Sequence, residues 1–153
     1  MIGISACLAG IACRYDGRSQ EHEKLANLVR QGQAVVFCPE VEGGLKTPRN
    51  PAEIIDGDGF DVWHKTARVI ESNGQDVTES YQKGAKIACQ RLKELGITTL
   101  ILKEKSPSCG SLTIYDGSFS GKRINGVGVA TAYFIQQGIK VLPIPNGMKS
   151  KGN

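Results

Sequence analysis

Ala34-Val35-Val36-Phe37-Cys38-Pro39-Glu40-Val41-Glu42-Gly43-Gly44 changes character at a single residue. Four consecutive apolar residues without polar alternation read as a strand covered on both faces, as strands of parallel sheets are. Proline lacks the N–H that a sheet ladder needs, so Cys38-Pro39 ends the strand. The stretch therefore predicts a central parallel strand whose carboxyl end opens onto a thiol, a carboxylate two residues on and a pair of glycines. The pattern recurs on either side. Met1 to Ala6 is an apolar run that ends at Cys7, and Thr98 to Leu102 leads through polar residues to Cys109. Lys140 to Leu142 reads as a last strand, stopped by Pro143 and Pro145.

Helical spacing fills the gaps between these runs. Glu21 to Gln31 carries Leu25, Leu28 and Val29 on one face and ends at Gly32. Thr78 reads as the N-cap of a helix to about Leu95, with a stripe of Tyr81, Ala85, Ala88, Leu92 and Leu95 and Gly96 beyond it. Val127 to Gln137 reads as a helix closed by Gly138. Alternating strands and helices predict an α/β fold: a three-layer, mostly parallel, Rossmann-like sheet in one domain over residues 1–153. Two long polar connections, Pro39 to Gly59 and Lys103 to Gly126, read as loops at the carboxyl edge, and Val62 to Ile70 as a strand or hairpin. Ligands of open parallel sheets bind at that edge.

Composition narrows the function classes. Of 153 residues, 40% are apolar and 22% charged, which is ordinary for a globular domain. The net charge of +4 is mild, and Lys/Arg residues do not cluster outside the Lys149-Ser150-Lys151 tail, which argues against a nucleic-acid partner. No stretch approaches the ~20 apolar residues of a membrane span. Ile4-Ser5-Ala6-Cys7 looks like a lipoprotein box, but no basic segment precedes it, so a cytoplasmic location is expected. Five cysteines are an odd count for a disulfide framework.

The cysteines carry the chemistry. Cys89 falls in a helical apolar stripe and reads as core. Cys13 is a fourth ligand, a resolving thiol or neither. Cys7, Cys38 and Cys109, each past a strand-like run, would meet at one edge. There is no CxxC and no zinc-finger spacing. Thiolates favour zinc or an iron–sulfur cluster, and three cysteines on a four-iron cubane leave one iron open. Glu40 is placed to move protons beside such a site. Ser106, Ser108 and Ser111 surround Cys109 with hydroxyls suited to a substrate, a cluster sulfur or a turn. Gly43, Gly44 and Gly110 suggest close backbone approach. Arg49 and Glu53 suit either a ligand or the surface; His22 and His64 are not read as ligands. A closed metal-holding or cluster-holding regulatory module, with Cys13 as the fourth ligand, is the competing reading. Thiol–disulfide chemistry is weaker without a close cysteine pair.

Taken together, Ser5-Ala6-Cys7-Leu8-Ala9-Gly10, Arg14-Tyr15-Asp16-Gly17, Cys38-Pro39-Glu40-Val41-Glu42-Gly43-Gly44-Leu45, Thr47-Pro48-Arg49, Pro51-Ala52-Glu53, Leu102-Lys103-Glu104, Ser106-Pro107-Ser108-Cys109-Gly110 and Ile114-Tyr115-Asp116-Gly117 resemble the bacterial family known as domain of unknown function 523. The resemblance covers nearly the whole chain. It implies a desulfidase that removes sulfur from a thiolated pyrimidine such as thiouracil, without redox chemistry, on a [4Fe-4S] cluster. By motif, Cys7, Cys38 and Cys109 would be the metal ligands, and Glu40 and Ser106 the catalytic groups. Ser108, Arg49, Gly43 and Gly44 are the candidate substrate-binding residues. Longer relatives carry a second domain and act on thiolated tRNA; the resemblance here implies a free base, nucleoside or nucleotide.

Overall fold

The computed structural model describes residues 1–5, 23–45, 50–102 and 106–142. In chain order the elements are β1 (Ile2–Ser5), α1 (Glu23–Arg30), β2 (Ala34–Phe37), α2 (Pro39–Glu42), β3 (Ala52–Ile55), α3 (Gly59–Trp63), β4 (Arg68–Glu71), α4 (Thr78–Glu94), β5 (Thr99–Ile101), β6 (Thr113–Tyr115), β7 (Arg123–Asn125), α5 (Val129–Gln136) and β8 (Lys140–Leu142). Four strands form a central sheet in the order β2-β1-β5-β8, with every pair parallel.

Side-chain alternation explains the three layers. On one face, Ile4, Ala34 and Ile101 pack with Leu25 of α1, joined by Ile2, Leu28, Val29 and Leu142. On the other, Phe37, Leu100 and Leu102 pack with Ala85, Ala88, Cys89 and Leu92 of α4 and with Ala130 and Phe134 of α5. The α/β reading, with a parallel sheet between helical layers, is what the structure shows. The helical stripe on α4 holds through Leu92, but Leu95 is 52% exposed because the helix ends at Glu94.

The two supposed loops contain structure. Pro39 to Gly59 holds α2 and β3; Val62 to Ile70 is the end of α3 and most of β4; Lys103 to Gly126 holds the β6–β7 hairpin. These elements span three to five residues, too few to show a period. β3 pairs antiparallel with β4, and β6 with β7. They close a second core in which Ile54, Val62, Val69, Tyr81, Ile114 and Val129 are buried together. Asp58 and Asp61 begin α3 with reciprocal caps: Asp58 Oδ1 accepts from Phe60 N at 3.0 Å, and Asp61 Oδ2 accepts from Asp58 N at 2.9 Å.

Thr78 is not the N-cap of α4. That place is taken by Val77, and the buried Thr78 hydroxyl accepts instead from Val69 N at 2.9 Å, tying the helix start to β4. Asp76 Oδ1 accepts from Thr78 N at 2.9 Å. No helix among the described residues is long and apolar enough to cross a membrane.

Gly43 and Gly84 let α2 lie directly on α4. A Cβ on Gly84 would fall 1.8 Å from the Pro39 carbonyl oxygen, and one on Gly43 would fall 2.1 Å from that of Ser80. Gly84→Ala should lower the unfolding free energy by about 1–3 kcal/mol in urea titration. At the start of α4, Asp76 also meets Arg68 at 2.8 Å. Burial opposes ionisation of Asp76, but hydrogen bonds from Arg68 and Thr78 and the Arg68 charge outweigh it and hold the carboxyl at about 2. A depressed folded value stabilises above the ordinary 3.8, and that contribution is lost as pH falls through 2. The pair is 55% and 40% exposed, so screening keeps it below about 1 kcal/mol. Asp76→Asn should lower the urea midpoint more at pH 7 than at pH 2.

Candidate active site

β2 delivers the chain to Cys38, whose backbone is still extended (φ −141°, ψ 100°). Pro39 starts α2, where its missing N–H costs nothing. The tight turn is closed by Glu42 N to Cys38 O at 3.0 Å, Gly43 N to Pro39 O at 2.9 Å and Leu45 N to Glu40 O at 3.2 Å. Glu40 is half-buried on this turn. Arg91 of α4 brackets it: Nη2 donates to Val36 O and Nη1 to Glu42 Oε1, both at 2.9 Å.

The second arm is the turn Ser106–Gly110. Ser106 Oγ accepts from Ser108 N at 3.0 Å and from Cys109 N at 3.2 Å, and Gly110 N donates to Ser106 O at 2.9 Å. This turn sits on the amino end of α5. Val129 N donates to Pro107 O at 2.7 Å, Ala130 N and Thr131 N to Ser108 O at 2.9 and 3.2 Å, and Gly128 N to Gly110 O at 2.9 Å. The first amides of a helix lack partners within it, and here the cysteine turn supplies them. Trp63 Nε1 donates to Val129 O at 2.9 Å and holds the same end against α3.

One bond joins the arms: Ser106 Oγ donates to Glu40 Oε1 at 2.9 Å. Cys38 lies two residues from one partner and Cys109 three from the other. Cys38 is half-buried, Cys109 is 7% exposed, and neither forms a disulfide among the described residues. The Cys109 thiol lies 3.9 Å from Ser108 Oγ.

The structure thus brings Cys38, Glu40, Ser106, Ser108 and Cys109 to the carboxyl edge. Cys7, Cys13 and Arg49 lie outside the described residues. Ser5, two residues before Cys7, is in register with Phe37, one before Cys38. Ser108 is fully buried, and its hydroxyl oxygen accepts from the Cys109 thiol. Gly43 faces α4, as the close contact with Ser80 shows, and Gly44 comes just after α2 with φ +90°. Glu53 accepts from Gly117 N at 2.9 Å and Phe119 N at 3.2 Å, which anchors the β6–β7 hairpin. His64 ends α3 and is exposed. Cys89 is buried in the main core, and burial pushes its thiol up, against the pull of Lys93. Sequence reasoning missed Gly128, Trp63 and Arg91. The glycine pair at 126 and 128 before an apolar helix was the available signal for the first; nothing in the sequence marks the other two.

The fold and the site together define a parallel α/β protein with two cysteine-bearing turns and a hydrogen-bonded carboxylate–hydroxyl pair at the carboxyl edge of its sheet. Residues 2–144 match the 2-thiouracil desulfurase family, and the chain belongs to that family, the domain of unknown function 523. It is 50% identical over 142 residues to the uncharacterized protein YbbK of Bacillus subtilis (strain 168), covering 93% of this chain and 94% of that one. Among solved structures it is similar to the [4Fe-4S]-dependent thiouracil desulfidase TudS, with a TM-score of 0.81 and 42% identity over 93% of this chain and 89% of that one.

The seating on α5 generates a prediction. A Cβ on Gly128 would meet the Ser108 carbonyl carbon and oxygen at 2.4 Å. Gly128→Ala should therefore displace the Ser106–Gly110 turn, seen as altered backbone resonances for Ser106, Ser108 and Cys109 in the folded chain.

Proposed function

We propose that this chain is a non-redox desulfidase that converts a thiolated pyrimidine and water into the oxo-pyrimidine and hydrogen sulfide, acting as one domain. The observation that carries the reading is the Ser106–Glu40 hydrogen bond, which holds a carboxylate between two cysteine-bearing segments. The match to the 2-thiouracil desulfurase family and the likeness to TudS support it.

The donor set suits a [4Fe-4S] cluster. Cys38 and Cys109 flank one bond and are soft thiolate donors, and family motif supplies Cys7 as the third. When bound, such a cluster would supply a Lewis-acidic iron for the sulfur of the substrate. The Ser108 hydroxyl lies beside Cys109 Sγ and would donate to it as a thiolate, fixing its orientation as outer-shell partners do. Glu40 takes a proton from the attacking water at its carboxylate. Ser106 holds that carboxylate in place. The water oxygen becomes the ring carbonyl, the C–S bond breaks, and both water protons leave with the sulfur as hydrogen sulfide. Electrons are neither gained nor lost overall, so no external oxidant or reductant is needed. Arg49 and Gly44, which follow α2 in the sequence, would bind the pyrimidine; Gly43 would act through its close seat on α4.

Anaerobic reconstitution followed by sulfide measurement tests the reading. The loaded chain should release sulfide from 2- or 4-thiouracil or their nucleosides. Glu40→Gln should lower kcat by about 10²-fold or more, the scale of a lost general base. Ser106→Ala should lower it about tenfold while iron content is retained. A fully loaded protein that releases no sulfide from any thiolated pyrimidine would sink the proposal.

A further inference from the structure

We infer that Arg91 is a positioning residue that fixes the separation of Cys38 and Glu40. The inference rests on the proposed roles of those two residues. Arg91 projects from α4, 49 residues from Glu42 and 55 from Val36 in sequence. Its guanidinium binds Val36 O, two residues before Cys38, and Glu42 Oε1, two residues after Glu40. The planar fork therefore grips both ends of the segment that holds the thiol and the carboxylate, which a point charge cannot reproduce.

The surroundings make this grip necessary. Sheet pairing holds β2 only to Phe37, and α2 is a four-residue helix without a side-chain capping bond at its start. A helix this short has little stability of its own. Gly43 and Gly84 allow contact with α4 but provide no directional bond between side chains. Glu42 Oε2 is buried and, among the described residues, has no hydrogen-bond partner. Among the described residues, the Arg91 contact is thus what compensates the Glu42 carboxylate. With Arg91 removed, Glu42 must turn toward water, and the turn carrying Glu40 moves with it. Burial of an uncompensated charge is the costlier alternative.

Arg91→Met and Arg91→Lys are compared with Lys93→Met, which removes a different α4 contact, the 2.9 Å bond to Gln137. The first measurement is amide exchange in the metal-free chain at Glu42, Gly43 and Leu45, whose N–H groups close the α2 turn. Arg91→Met should raise exchange there about tenfold, a loss of roughly 1.4 kcal/mol of local protection. Lys93→Met should leave those amides unchanged. The second measurement uses the reconstituted protein. Arg91→Met should lower kcat about tenfold with KM changed less than about twofold, and speed loss of the visible iron–sulfur absorption several-fold. Arg91→Lys should recover part of both. Unchanged exchange in Arg91→Met, or equal changes in Lys93→Met, overturns the inference. Exchange as expected in a chain that takes up no iron supports the positioning role while it overturns the cofactor reading.

Discussion

The hydrogen bond between Ser106 Oγ and Glu40 Oε1 spans 66 residues and joins the turn after β2 to the turn after β5. In the sheet those two strands are not neighbours; β1 lies between them. The bond therefore bridges across the carboxyl end of β1, after which the sequence places Cys7. Sheet pairing sets the register of the three strands, and this contact ties together the turns after the outer two. Hydrogen bonds to charged groups contribute about 1.5–3 kcal/mol, enough to hold two turns but not to create them. The turns must already be shaped.

Their shaping comes from two helices of the same layer. α2 rests on α4 through glycine contacts and the Arg91 fork, and the Cys109 turn rests on the first amides of α5. Apart from the Arg91–Glu42 pair, each contact is to backbone, or so close that no side chain fits between. Backbone-to-backbone seating suits a site whose groups must be held within a fraction of an ångström. It also explains why a second core stands beside the sheet. Ile114 of β6 and Val129 of α5 share that core, so the hairpins brace the helix end on which the turn is seated.

The parallel sheet was legible because its strands are continuous apolar runs with turn residues beside them, as in Ala34 to Phe37. The hairpins were not. Thr113–Tyr115 and Arg123–Asn125 are three residues each, and β7 is exposed along its length, so neither hydrophobicity nor period distinguishes them from loop. At the site, the meeting of Cys38, Glu40, Ser106 and Cys109 at one edge was legible because each follows a strand and stands out by its side-chain type. Gly128 and Trp63 were hidden because they act on main-chain atoms: Gly128 by leaving room for Ser108, Trp63 by donating to Val129 O. Thr78 was misplaced for a related reason. Its residue type suits a cap, but a strand amide from β4 competes for the same hydroxyl oxygen and wins.

The geometry also divides labour between the two catalytic candidates more sharply than residue type can. Ser106 Oγ accepts two backbone N–H bonds and donates its own proton to Glu40. A serine hydroxyl has one proton and two lone pairs, so this capacity is fully committed. In this arrangement Ser106 cannot accept a proton from water and has no lone pair with which to attack a substrate. It serves as a fixed donor. A carboxylate has a second oxygen and several further lone-pair directions. In the proposed reaction proton movement would therefore fall to Glu40, with Ser106 setting where that carboxylate stands. Because Ser108 N and Cys109 N fix the serine oxygen in turn, the position of the Glu40 carboxylate is set by the same turn that presents the Cys109 sulfur.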